Sequence, residues 1–196
     1  MIIFKLNELF IGYNTLIGRR GEKVEEKLLI KQAKAGNKES LLKLVMAQER
    51  DYYKLAYVYM KNPDDSMDMM QDMIVILYEN ISQLKKYSAF YSWSKTILVN
   101  LCKKRLKEKA KLVSLENIKE QSIDHVYESS EDSLVLEKYL SKLNENHREV
   151  IKLRYYLNLD YRSLSEILNI PLGTVKSRLN IGMKNLKEAL GGEVLE

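Results

Sequence analysis

Tyr161-Arg-Ser-Leu-Ser-Glu-Ile-Leu-Asn-Ile-Pro171-Leu-Gly-Thr-Val-Lys-Ser-Arg-Leu179-Asn-Ile-Gly-Met-Lys-Asn-Leu-Lys187 is the stretch that decides how this chain folds. Leu164, Ile167 and Leu168 recur at helical spacing. Pro171-Leu172-Gly173 then turns the chain, Thr174 is an N-cap candidate, and Val175, Leu179, Leu186 and Leu190 follow at the same period. A short helix, a turn and a second helix, with small Ser165 where the two must pack closely, make a helix-turn-helix. That arrangement presents its second helix to a DNA major groove. With Val175 and Leu179 inward, Lys176, Ser177, Asn180 and Lys184 project outward and Arg178 lies at the flank. Their amine, hydroxyl and amide groups are the ones that meet base edges and phosphates.

Working outward, Leu134, Leu136, Leu140 and Leu143, then Val150, Ile151, Leu153 and Leu157, predict further helices before the motif. The N-terminal half is helical as well. Leu28, Leu29 and Ala33, then Leu41, Leu42, Leu44 and Val45, form apolar stripes parted by a turn at Gly36-Asn37. Tyr52, Leu55, Ala56 and Tyr59 belong to a helix that stops near Asn62-Pro63, because proline cannot continue the hydrogen-bond ladder. Asp64, Asp65 and Ser66 are cap candidates for the next helix, which carries Met69, Met70, Met73, Ile74, Leu77 and Ile81. A last helix of this half runs from Ala89 to about Lys109. Between Lys111 and Ser133 the periodicity fades and acidic residues prevail, as in a linker. The boundaries expected from this pattern are an extension over 1–24, a domain over 25–110, a linker over 111–133, a second domain over 134–190 and a tail over 191–196. The fold class is all-α, two small helical domains.

Cations gather at the end of the first half, where Lys95, Lys103, Lys104, Arg105, Lys107, Lys109 and Lys111 are offset by Glu108 alone. Just before them stand Tyr87, Phe90, Tyr91 and Trp93. Rings beside a basic stripe suit single-stranded nucleic acid, since bases stack on the rings while cations hold phosphates. Trp93 has two readings: with Ile97 and Leu101 it forms a core stripe, and with its aromatic neighbours a base platform.

Composition agrees with a folded helical protein: 196 residues, 45% hydrophobic, 30% charged, with 2 Pro and 8 Gly. The net charge of +5 fits a polyanionic partner. Cys102 is the only cysteine, which excludes an internal disulfide and a thiolate metal cage, and it reads as a small buried residue. His125 and His147 lie far apart and outside any metal-ligand spacing. Lys5 and Glu8 interrupt the apolar start, so no signal peptide is expected, and no run reaches the ~20 apolar residues of a membrane span.

Several segments together resemble the extracytoplasmic-function (ECF) group of bacterial sigma factors, in the sigma-70 family. Asp65-Ser-Met-Asp68-Met-Met-Gln71-Asp72 resembles the polymerase-binding signature of region 2, and Phe90-Tyr-Ser-Trp93 with Val99-Asn100 its promoter-melting segment. Asn144-Glu-Asn-His-Arg148-Glu149-Val150 and Pro171 to Leu179 resemble region 4. The likeness runs from about Leu28 to Leu190, in family order and without the middle domain of larger sigma factors. It implies that Asp65, Asp68, Gln71 and Asp72 dock on the clamp of the polymerase largest subunit. Lys86, Tyr87, Ser88, Phe90, Trp93, Asn100, Lys103 and Lys104 would hold the opened minus-ten strand. Thr174, Lys176, Ser177, Arg178, Asn180 and Lys184 would read the minus-thirty-five duplex. The implied partners are core RNA polymerase, promoter DNA and an anti-sigma factor able to hold the protein at a membrane. No catalysis, cofactor, metal, small-molecule substrate or direct membrane insertion is implied, and the setting is the cytoplasm. The sequence departs from the family at Ile181 and Met183, where arginines are frequent, and at Ser163, where glutamate is common.

Two other functions compete. A free-standing helix-turn-helix regulator would bind an operator, but it gives no reason for the Asp65 to Asp72 pattern. A nucleic-acid-processing enzyme would need carboxylates gathered around a metal, whereas these lie along one helix.

Overall fold

In the computed structural model the backbone is described over residues 19–116 and 138–191, and the side chains over 25–111 and 138–190. Five helices build the N-terminal unit: α1 (Arg19–Lys34), α2 (Lys38–Met46), α3 (Glu49–Met60), α4 (Pro63–Asn80) and α5 (Phe90–Glu116). Short 3-10 turns at Ile81–Gln83 and Tyr87–Ala89 join α4 to α5. After a helical segment at 138–141 come α6 (Glu145–Tyr156), α7 (Tyr161–Leu168) and α8 (Leu172–Gly191). No strand occurs among the described residues, so the all-α expectation holds.

Each helix boundary has a local cause. Gly36, at φ 93°, supplies the left-handed turn after α1, and the Asn37 side chain accepts the Ser40 N–H at 3.0 Å to cap α2. Lys61 ends α3 in the left-handed conformation at φ 55°.

Two starts differ from the sequence expectation. The cap of α4 is Asn62, whose side chain accepts the Asp65 N–H at 3.0 Å, with Pro63 at the first helical position. Asp64, Asp65 and Ser66 are therefore already inside the helix, because proline is well suited to a position whose N–H needs no partner. Thr174 likewise caps nothing. The Pro171 carbonyl accepts the Val175 N–H at 3.1 Å, so α8 has begun before Thr174. The reversal is made earlier by Asn169, left-handed at φ 52°.

A third difference concerns α5, which continues past Lys109 to Glu116 and so into the stretch read as linker. Lys111, Leu112, Leu115 and Glu116 in that stretch are all strong helix formers. The remaining linker residues and the 1–18 extension lie outside the described residues.

The N-terminal core is filled by Ile30, Leu41, Leu44, Leu55, Met73, Leu77, Phe90 and Leu98, all at most 2% exposed. Tyr52 is buried among them with its hydroxyl hydrogen-bonded to that of Ser94 at 2.6 Å, which spares both groups the cost of an unpaired buried polar atom. Cys102 is fully buried, and loss of solvation pushes its thiol up to about 12. The C-terminal core uses Leu140, Val150, Leu153, Leu164, Ile167, Val175 and Leu179.

The two units meet along α5, where α7 lies against it and α6 touches α3. One carboxylate organises the seam. Glu149, its side chain only 10% exposed, accepts the Tyr59 hydroxyl at 2.5 Å and the Lys103 ammonium at 2.9 Å. Burial above all, and then the adjacent carboxylate, hold the Tyr59 hydroxyl far above its ordinary titration range. The Thr96 hydroxyl adds to the seam, its one hydrogen shared between the Ser92 carbonyl of its own helix at 2.9 Å and the Glu166 carbonyl across it at 3.1 Å.

Candidate DNA and polymerase interfaces

The second helix of the helix-turn-helix is held from behind. Val175, Leu179 and Leu186 are buried, and at the turn between them Gly182 lets α8 approach α6 closely. A Cβ at Gly182 would lie 2.9 Å from Ile151 Cδ1 and 3.0 Å from His147 Cβ. Fixing one side of α8 in this way leaves Lys176, Ser177, Asn180, Ile181 and Lys184 exposed on the other. Thr174 and Arg178 are half-buried at the edges of that face. Ser177 donates its hydroxyl hydrogen to the Thr174 carbonyl at 3.0 Å, which leaves its oxygen lone pairs facing outward as acceptors. Lys184 has only a loose 3.8 Å partner in Glu188, both strongly exposed, and such a pair yields readily to a phosphate.

The orientation of α7 beneath this helix depends on Asp160. Its carboxylate accepts the Ser163 N–H at 2.8 Å, and that backbone hydrogen bond, foremost, holds the Asp160 carboxyl below its ordinary range. A depressed folded-state pKa means the cap is present above the unfolded carboxylate range and is lost as pH falls through the folded value. Replacing Asp160 by alanine should destabilise the C-terminal unit by about 1 kcal/mol at pH 7. In thermal melts the difference from the parent should begin to shrink as the pH falls below about 3.9, the reference carboxylate value. An undiminished difference in acid would remove the carboxylate cap as its cause.

The structure adds two cations that sequence reasoning missed, Arg154 and Arg162. Together with Lys176 and with Tyr161, Asp160 and Leu172 they line a shallow hollow at the start of α8. Arg154 donates to the Leu159 carbonyl at 2.8 Å and lies over the Tyr161 ring at 5.5 Å. Three different helices supply these cations, so no local spacing announces them.

On the N-terminal unit, Asp68, Gln71 and Asp72 are exposed on one outward stripe of α4, opposite buried Met69, Met70, Met73 and Leu77. Asp65 sits at the flank of that stripe and is bound to Lys109 at 2.6 Å, so α4 is tied to the far part of α5 through it.

The strand-capture set divides. Lys86, Ser88, Asn100 and Lys104 are exposed, while Tyr87 is half-buried with the Lys34 ammonium 5.7 Å from its ring centre. Lys103 is half-buried and faces Glu149. Phe90 is wholly buried, its ring 5.2 Å from that of Tyr91 and 6.4 Å from that of Trp93. A ring with no exposed surface cannot stack on a base, so Phe90 is a core residue and its assignment to DNA is corrected. Trp93 is half-buried and packs against the same core.

Among the described residues no helix is long and apolar enough to cross a membrane, and no three His, Cys, Asp or Glu side chains are grouped as for a metal ion.

The sequence matches two sigma-70 family models: region 2 over residues 44–112 and region 4 over residues 139–188. It is 28% identical over 176 residues to the ECF RNA polymerase sigma factor SigW of Bacillus subtilis, covering 82% of this chain and 94% of that protein. It is 25% identical over 173 residues to the ECF RNA polymerase sigma-E factor of Escherichia coli, covering 81% and 90%. Among solved structures, CnrH in complex with the cytosolic domain of CnrY has the same fold, with a TM-score of 0.63 at 19% identity over 86% of this chain and 98% of that one. RpoE of Bartonella quintana, solved with the anti-sigma factor NepR, superposes with a TM-score of 0.55 at 21% identity over 88% and 98%. With regions 2 and 4 both matched in family order, and with relatives along most of its length bearing that name, this chain belongs to the sigma-70 family as an ECF sigma factor, a protein that directs promoter-specific transcription.

Proposed function

We propose that the chain docks on core RNA polymerase through Asp68, Gln71 and Asp72, with Asp65 at the edge, and brings two DNA-reading surfaces to a promoter. Lys86, Tyr87, Ser88, Trp93, Asn100, Lys103 and Lys104 hold the opened minus-ten strand. Thr174, Lys176, Ser177, Arg178, Asn180 and Lys184 read the minus-thirty-five duplex. Unpairing a base costs a few kcal/mol, which stacking at ~1–3 kcal/mol per base and phosphate contacts offset, so strand choice and melting form one step. The protein catalyses no reaction itself, works in the cytoplasm and is held in check by an anti-sigma factor, as the Bartonella quintana complex suggests. The observation that carries this reading is the exposed polar and cationic row on α8, backed by a buried opposite side.

Transcription with purified core polymerase on a library of promoters is the test. The parent should initiate from a discrete set of sequences, and failure to initiate from any of them removes the reading. The same assay orients α8. Lys176→Ala and Ser177→Ala, in the first turns, should alter the preferred minus-thirty-five sequence, each at a cost of ~1–3 kcal/mol at one position. Arg178→Ala and Lys184→Ala should weaken all promoters alike and lower the salt slope by about one. A change of preference with Lys184→Ala, and none with Lys176→Ala, would mean that the helix enters the groove the other way round.

A further inference from the structure

Ile181 is an apolar residue in the wrong place for a core. It is 48% exposed, and it lies four residues after Ser177 and three before Lys184, so all three side chains rise from one outward stripe of α8. The inner side of this turn is taken by Gly182, against Ile151 and His147, so Ile181 lies away from the packed side of α8. Its neighbours on the exposed face are Lys176, Ser177, Asn180 and Lys184. That cationic surrounding matches a polyanion and not an apolar protein surface.

An isoleucine can neither pair with a phosphate nor hydrogen-bond to a base edge. The apolar group that a base pair displays on the floor of the major groove is the C5-methyl of thymine. We propose that Ile181 reads a thymine methyl in the duplex that α8 enters, and so sets part of the promoter preference. The inference rests on the minus-thirty-five reading of α8 given above. Four residues of helix separate Ile181 from Ser177 by about 6 Å. With base pairs 3.4 Å apart, the thymine is therefore within about two base pairs of the one that Ser177 meets.

Deoxyuridine differs from thymidine only by that methyl group, which permits a direct test with the full-length protein and core polymerase. Each thymine of the preferred minus-thirty-five element is replaced singly by deoxyuridine, on either strand, and initiation is measured for the parent and for Ile181→Ala. One replacement should lower initiation by the parent about four-fold, the equivalent of the ~0.8 kcal/mol of one buried methyl group. The same replacement should leave Ile181→Ala unaffected, so the two losses do not add. If the parent initiates normally from every deoxyuridine template, or if Ile181→Ala shows the same sensitivity as the parent, the assignment is overturned. Absence of initiation by the parent on the unmodified promoter would instead remove the function on which the inference rests.

Discussion

Replacing Phe90 by alanine is expected to lower the stability of the N-terminal unit by about 3–5 kcal/mol, the range for emptying a fully enclosed aromatic site. The ring is 0% exposed and is held edge-on against Tyr91 and beside Trp93, so its removal leaves a void where α5 begins and loosens two neighbouring rings. Urea denaturation should show a lower midpoint for Phe90→Ala, with most of the loss recovered by Phe90→Leu, which refills the volume without an aromatic face. The recovery separates packing from base stacking. A folded Phe90→Leu variant should initiate from duplex and from pre-opened templates as well as the parent. A Phe90→Ala variant that melts like the parent yet fails only on closed duplex would return Phe90 to the strand-capture surface.

The second large effect is expected from Asp68→Arg. Asp68, Gln71 and Asp72 take part in no hydrogen bond or ion pair among the described residues, and all three are exposed. Reversing the charge of Asp68 should thus change stability by no more than about 0.5 kcal/mol. Setting the wrong charge inside a complementary interface typically costs several kcal/mol. Affinity for core polymerase should fall at least about 100-fold, measured with a labelled protein titrated against core, while the melting curve stays in place. Gln71→Ala, which only removes contacts, should give a smaller loss. Unchanged affinity for both variants would take the polymerase assignment away from α4.

The helical architecture could be read from sequence because its signals are local and repeat. The stripes through α4, α6 and α8 and the turn at Gly36 follow from spacing and from the few residues that tolerate left-handed backbone. Starts were misjudged where two devices overlap. Asn62 with Pro63 outcompetes Asp64 as the head of α4, and Asn169 makes the reversal that Pro171-Leu172-Gly173 advertises. Spacing also failed to rank neighbours within a stripe. Spacing counts Leu28 with the apolar side of α1, but it is 54% exposed, whereas Ile30 two residues on is fully buried. Phe90 erred for a related reason, since an aromatic beside cations looks the same in sequence whether its ring faces bases or the core. The seam through Glu149 was illegible, because its partners Tyr59 and Lys103 lie 90 and 46 positions away and no local pattern links them.

That seam changes what it means for DNA to reach Lys103. The ammonium already faces an oxygen anion, so a phosphate arriving there displaces a resident competitor and does not occupy an empty site. If Lys103 holds the opened strand as proposed, capture at this position is an exchange of anions, and Glu149 once released must be rehydrated or find another cation, since the Tyr59 hydroxyl alone is a neutral partner. An exchange releases fewer counterions than a fresh contact, so on the proposed reading Lys103 should contribute less to the salt dependence of promoter opening than exposed Lys104 one residue on.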